Sequence, residues 1–179
     1  MRWQGGDLDR LINARHSALH ESIARRLLAL SGWEIAPEVS FSIRGERGVI
    51  DILAWHASSR TLLVIELKTE IVDVNDLMGG VDRKRRLAMV IARDRGWLAT
   101  SVSMWVIIAE SSTNRRRVAA HATTLRAAFP TDGRTINGWL REPAAPVACL
   151  SFWSDASQGS ANRGLATVKR VRRPRTAAA

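Results

Sequence analysis

Two apolar segments of the chain carry charged residues at positions where a buried strand normally carries apolar side chains. Asp51 interrupts the segment Val49–Trp55, and Glu66 interrupts the segment Thr61–Leu67, which Lys68 follows. A lone carboxylate in a buried strand is strongly destabilising unless a counter-charge or a metal ion compensates it. We therefore expect Asp51, Glu66 and Lys68 to form one compensated, charged site.

The connection between the two segments predicts how these residues face each other. If Ser58 and Ser59 form a two-residue hairpin turn, Asp51 pairs with Glu66 across the two strands. Their Cβ atoms then lie about 4.5–5.5 Å apart, and Lys68 points to the same face as Glu66 because strand side chains alternate. Facing carboxylates repel each other, and a hard divalent cation, Mg²⁺ or Mn²⁺, relieves that repulsion. The alternative is a structural ion-pair cluster of the same three residues.

The surrounding pattern predicts the elements that position this site. In chain order these are a helix over 13–31, strands over 33–41, 49–55 and 61–68, a helix from 73–76 to before Gly96, a strand over 102–109, a helix over 114–129 and a last strand over 147–153. The order α-β-β-β-α-β-α-β predicts an α/β fold with a mixed sheet. We expect it to form a single domain over residues 1–155.

Charge distinguishes the end of the chain from the rest. Lys and Arg total 27 against 17 Asp and Glu, and the segment 156–179 is rich in Arg and Lys. This segment is predicted to be a disordered basic tail, which attracts polyanions without sequence preference.

The single cysteine, Cys149, excludes an internal disulfide and a cysteine-built zinc site. No segment has the apolar length of a membrane span or a secretory signal, so we expect a cytoplasmic protein.

These residues and their order resemble the PD-(D/E)XK nuclease superfamily, which includes restriction endonucleases and archaeal Holliday junction resolvases. Gly48-Val49-Ile50-Asp51 is similar to the first part of its motif, although Ile50 stands where the motif has proline, and Glu66-Leu67-Lys68 is similar to its E-x-K. The resemblance covers residues 13–110 and implies a restriction endonuclease-like αβββαβ core, with a mixed central sheet flanked by helices. Resolvase-like members often carry a further polar residue in the helix after E-x-K, for which the alternatives are Asn75, Asp82 and Lys84.

The resemblance implies a metal-dependent nuclease that hydrolyses DNA phosphodiester bonds. By that resemblance, Asp51, Glu66 and the backbone carbonyl of Leu67 hold Mg²⁺ or Mn²⁺. Lys68 is expected to orient the attacking water or to stabilise the developing negative charge. Many members also place a glutamate on the first helix facing the site, and Glu21 occupies the matching position.

Basic residues around the predicted site are candidate contacts for DNA, which we expect as the partner rather than RNA. They lie in the turn before Asp51, in the long helix and at the start of the next helix: Arg44, Arg47, Arg83, Lys84, Arg85, Arg115 and Arg116. A run of cations is also the ordinary mark of a solvated helix face. His16 and His20, four residues apart, are interpreted as polar surface because no third matched ligand accompanies them.

Two functions compete at this point. The first is the DNA nuclease, and the second is a non-catalytic nucleic-acid-binding or regulatory module that keeps the nuclease fold. The presence of Asp51, Glu66 and Lys68 together favours the nuclease, because a binding module has no need of all three. An enzyme that cuts both strands needs two sites, so we expect such an enzyme to be a homodimer.

Overall fold

Residues 5–154 are described by the structure, a computed structural model, with side chains from residue 13 onward. The predicted basic tail, residues 156–179, lies outside the described residues. In chain order the elements are α1 (Gly5–Leu28), β1 (Trp33–Ile43), β2 (Glu46–His56), β3 (Thr61–Lys68), α2 (Val74–Arg93), β4 (Ser101–Ala109), α3 (Ser112–Ala120), α4 (Ala122–Ala128), α5 (Ile136–Trp139) and β5 (Ala148–Trp153). The predicted succession of a helix, three strands, a helix and a strand is confirmed.

The five strands form one mixed sheet in the order β1-β2-β3-β4-β5. The pairs β1–β2 and β2–β3 are antiparallel, whereas β3–β4 and β4–β5 are parallel. A parallel pair needs a long crossover connection, and α2 supplies it between β3 and β4. The α/β class and the mixed sheet predicted from the sequence are therefore confirmed.

The central strand β3 is buried on both faces, and its alternating side chains separate two layers of core. Leu62 and Val64 belong to the layer that includes α2, whereas Leu63 and Ile65 belong to the layer that includes α1. On the α1 side, Leu63 and Ile65 share a core with Ile23, which is fully buried. Burial on both faces explains why β3 is almost continuously apolar.

The edge strand β1 is longer than the sequence predicted. It continues through Pro37, which pairs with Ile52, and ends at Ile43 rather than at Phe41. Proline has no N–H to donate, and an edge strand tolerates it because only one side of the strand has a neighbour. The strand can therefore pass Pro37 without losing its pairing to β2.

The helix boundaries agree with the sequence at α2, whereas α1 spans Gly5–Leu28 rather than the predicted 13–31, and the helices after β4 also differ. Asp73 caps α2, its side chain accepting a hydrogen bond of 2.6 Å from the Asn75 N–H. The predicted helix over 114–129 is instead two helices, α3 and α4, separated at His121, whose φ and ψ of −114° and 23° are not helical.

None of the helices within residues 5–154 combines the length and the apolar character needed to cross a membrane.

A buried asparagine fastens the loop that follows Lys68. Asn114, in α3, has no exposed surface, and its Oδ1 accepts a hydrogen bond of 3.1 Å from the Ile71 N–H. Its Nδ2 donates to the backbone carbonyls of Thr69 and Ala109, at 3.0 and 2.8 Å. One side chain therefore satisfies three backbone groups and ties the end of β3 to the end of β4.

Asn114→Ala is expected to lower the free energy of unfolding by about 2–4 kcal/mol, because the truncation leaves three backbone groups without this partner, one of them in a fully buried hydrogen bond. Urea unfolding followed by tryptophan fluorescence measures the change. Asn13→Ala, at an exposed position of α1, is the control and should change the same quantity by less than about 0.5 kcal/mol. Equal effects of the two substitutions would contradict the anchoring role of Asn114.

Candidate active site where the central strands separate

The pairing of β2 with β3 ends next to the predicted acidic pair. The ladder runs from His56 opposite Thr61 to Ile52 opposite Ile65, which is the pairing frame predicted from the turn. Beyond Ile52 a side chain replaces the backbone as the hydrogen-bond partner of β3. Oδ2 of Asp51 accepts a hydrogen bond of 2.6 Å from the backbone N–H of Leu67. The Asp51 side chain thus occupies the place where the two strands begin to separate.

Glu66 lies beside this junction with two ammonium groups on its carboxylate. Its side chain is only 6% exposed; Oε1 lies 2.7 Å from Nζ of Lys68, and Oε2 forms a salt bridge with Nζ of Lys84. Lys84 reaches it from α2, and its own side chain is 12% exposed. The structure therefore places Lys84 inside the site, and of the three alternatives in this helix it is the one in contact with Glu66.

Helix α1 brings two histidines to Asp51. Nε2 of His16 lies 3.8 Å from Oδ1 of Asp51, and Nε2 of His20 lies 2.9 Å from its backbone carbonyl oxygen. The prediction that both are polar surface residues does not include these contacts with Asp51. A signal for them was present, because positions 16, 20, 23 and 27 have the spacing of one helix face, and Ile23 and Leu27 on that face are fully buried.

Glu21, the predicted acidic residue of this helix, points elsewhere. Its side chain is 72% exposed and forms a salt bridge of 2.6 Å with Arg25, one turn further along α1. A single step along a helix rotates the side chain by about 100°, so Glu21 cannot share the direction of His20. The structure therefore presents His16 and His20 to the site in the place predicted for Glu21.

The negative charge of Asp51 is only partly compensated by the protein. Burial raises the pKa of its carboxyl above the ordinary aspartate value, and the neighbouring charge of Glu66 raises it further. The Leu67 N–H, Lys84 and His16 lower this pKa, but their combined effect is smaller. An additional cation next to Asp51 would therefore stabilise its ionised form.

Several oxygen atoms at the junction have the chemistry that a hard divalent cation requires. They are the carboxylate oxygens of Asp51 and Glu66 and the carbonyl of Leu67, which leaves β3 on the same side as its N–H. Carboxylate and carbonyl oxygens are the ligands that Mg²⁺ and Mn²⁺ prefer. Within residues 13–154, no three or more His, Cys, Asp and Glu side chains are grouped so that they could hold a metal ion. The oxygen donors present fit Mg²⁺ or Mn²⁺ in kind.

The predicted DNA contacts divide into two groups. Arg44, Arg47, Arg85 and Arg116 are exposed. The other three have partners within the protein: Arg83 donates to the carbonyl of Arg47 at 3.2 Å, Lys84 forms a salt bridge with Glu66, and Arg115 pairs with Glu110 and lies over the ring of Phe152. Arg44, Arg47, Arg85 and Arg116 can therefore meet a ligand without first breaking such contacts.

Asp51→Asn is expected to be more stable than the wild-type protein at pH 7 in the absence of divalent cations. Because the pKa of Asp51 is raised by folding, its protonated form stabilises the folded state below the ordinary aspartate pKa. That contribution is lost as the pH rises through the raised value. Asparagine keeps an oxygen acceptor for the Leu67 N–H and carries no charge.

Thermal unfolding between about pH 3.5 and pH 7.5, with EDTA present, measures this difference. The advantage of Asp51→Asn should shrink as the pH falls toward about 4, the ordinary aspartate value, and stay nearly constant below it. Asp82→Asn, which removes a charge from a side chain that is 76% exposed, serves as the control for a general charge effect. A constant advantage across the pH range would contradict the raised pKa.

Comparison of the chain with models of protein families, with characterised proteins and with solved structures finds no match. A functional assignment for this protein therefore depends on the chemistry of the site itself. That site consists of two neighbouring carboxylates, the two ammonium groups on Glu66 and the two histidines on Asp51.

Proposed function

We propose that this protein is a metal-dependent nuclease that hydrolyses DNA phosphodiester bonds with Mg²⁺ or Mn²⁺. The observation that carries the proposal is the meeting of Asp51 and Glu66 beside Lys68, at the place where β2 separates from β3. The order αβββαβ and the mixed sheet support a restriction endonuclease-like core, and we propose the PD-(D/E)XK superfamily as its family.

Asp51, Glu66 and the Leu67 carbonyl are the groups that would hold the cation. The chemistry that such a cation supplies when bound is polarisation of the scissile phosphate and a lower pKa for a bound water. The ammonium of Lys68, 35% exposed, stabilises negative charge that develops on the phosphate. Lys84 orients the Glu66 carboxylate from the buried side, and His20 fixes the backbone of Asp51.

One observation favours the second candidate, a non-catalytic nucleic-acid-binding module that keeps this fold. The two positive charges of Lys68 and Lys84 balance the two negative charges of Asp51 and Glu66. The four side chains can therefore form a neutral ion-pair cluster without a metal. Such a cluster would be structural, and divalent cations would then have no effect on stability or on DNA. The two candidates therefore differ in the response to metal.

Purified protein is expected to cleave DNA with Mg²⁺ or Mn²⁺ and to lose this activity in EDTA. Plasmid, single-stranded and four-way-junction DNA are the substrates, and the preferred one indicates the class of cleavage. Asp51→Asn, Glu66→Gln and Lys68→Ala should each lower the rate by about 100-fold or more, because each removes a group that acts on the transferring phosphate or its metal. Glu142→Gln, at an exposed position, is the matched control and should keep the rate.

Metal binding can also be measured without activity. Mn²⁺ is expected to raise the melting temperature of the wild-type protein, because at one hundred times its dissociation constant it adds about 2.7 kcal/mol of stability. Asp51→Asn should lose this response, because one of the two carboxylates is gone. Absence of both cleavage and metal-dependent stabilisation would overturn the nuclease and leave the structural cluster.

A further inference from the structure

Strands β1 and β2 extend beyond the site as a two-stranded ribbon. Their pairing continues to Ile43 opposite Glu46, whereas the pairing of β2 with β3 stops at Ile52. Within the part of the chain that the structure describes, the segment 46–50 of β2 therefore pairs with β1 alone, up to the unpaired Asp51. At about 3.3 Å per residue this ribbon is about 20 Å long.

The ribbon is held in a fixed position by its turn and by α2. Arg44 and Gly45 have φ of 50° and 84°, the left-handed pair that a tight two-residue hairpin turn requires. From α2, Arg86 donates to both carboxylate oxygens of Glu46 at 3.1 Å, and Arg83 donates to the carbonyl of Arg47 at 3.2 Å. These contacts attach the end of the ribbon to a long helix, so it is not a flexible arm.

The two faces of the ribbon differ in character. Val39, Phe41 and Ile50 face the core on the side of α2. The opposite face, here called the outer face, consists of two cross-strand pairs, Ser40 with Val49 and Ser42 with Arg47, and all four residues are exposed. The outer face is thus polar apart from Val49.

The outer face leads directly to the candidate site. Arg47 and Val49 lie on the face of β2 opposite Ile50, away from α2, and His16 contacts Asp51 from α1, on that same side of the sheet. The only acid between residues 39 and 50 is Glu46, which is bonded to Arg86. Arg44 adds a second exposed cation at the tip of the ribbon. The result is a basic surface, rich in hydroxyl groups, that ends at Asp51.

We propose that the outer face, together with Arg44, binds the phosphate backbone of the nucleic acid strand that enters the site. Arginine and serine side chains are typical contacts for backbone phosphates, and they do not depend on base sequence. The proposal rests on the proposed function for the identity of the ligand, DNA, but not on cleavage. It also gives the ribbon a defined position along the bound nucleic acid strand, relative to Asp51, which a set of basic residues alone does not give.

The spacing determines which phosphates the ribbon meets. Arg47 lies four residues from Asp51, about 13 Å along the strand. With one phosphate per about 3.4 Å of helix axis on each strand, this corresponds to about four nucleotides from the phosphate at Asp51. Arg47 therefore acts on the binding of the strand at a distance from the reacting bond, and its loss should affect KM more than kcat.

Binding of a fluorescein-labelled duplex of about 20 base pairs, measured by anisotropy in EDTA, tests the proposal without any cleavage. The double substitution Arg44→Ala with Arg47→Ala is expected to weaken binding by tenfold or more. It should also reduce the slope of log K against log salt by about 1.8, which corresponds to two lost phosphate contacts. The matched control is Arg126→Ala with Arg134→Ala, which removes the same charge from exposed positions on other elements and should weaken binding by less than about threefold.

Ser42→Asp provides a second variant that removes neither arginine. It places a carboxylate opposite Arg47 on an exposed position and is expected to weaken binding in the same direction. Equal losses in the ribbon and control double variants, or no binding of DNA by the wild-type protein, would overturn the proposal. Selective loss in the ribbon variants supports it even if the protein cleaves nothing, whereas an active enzyme with unchanged binding in these variants would overturn the ribbon alone.

Discussion

The hydrogen bond between the Leu67 N–H and the Asp51 carboxylate is the interaction on which the candidate site depends. It satisfies a backbone donor at the place where β2 stops pairing with β3, so the strands can separate without leaving that group unpaired. The same bond holds Asp51 beside Glu66, and the charge of Glu66 raises the pKa of Asp51. Separation of the strands also leaves the far end of β2 paired with β1 alone, which creates the ribbon.

Side chains from both sides of the sheet contact Asp51 and Glu66 at the junction. Helix α2 contributes Lys84 to Glu66, and α1 contributes His16 and His20 to Asp51. Burying carboxylates is costly, and the contacts of Lys84 and His16 reduce that cost for Asp51 without removing it. The remaining unfavourable charge on Asp51 is the physical reason for expecting a cation there, and the neutral balance of two lysines with two carboxylates is the reason for keeping the structural alternative.

The supporting contacts lie outside the motif itself. Asn114 fixes the loop after Lys68 by bonds to three backbone groups, and Arg83 and Arg86 hold the ribbon against α2. Both sets connect elements that are distant in the chain. The geometry of the site therefore depends on how α2 and α3 pack on the sheet as much as on the two strands that carry the acids.

The sequence by itself determined the order of the elements, the mixed sheet and the pairing frame of β2 with β3, because apolar periodicity and a short turn are local properties. It also identified Asp51, Glu66 and Lys68 as the unusual charges. Only the tertiary structure decided that His16 and His20 rather than Glu21 face Asp51, and that Lys84 contacts Glu66. The spacing of positions 16, 20, 23 and 27 places both histidines on the buried face of α1. Which groups they meet follows from the packing of α1 on the sheet, and the end of a strand ladder follows from contacts between distant residues, so neither of these is encoded in local spacing.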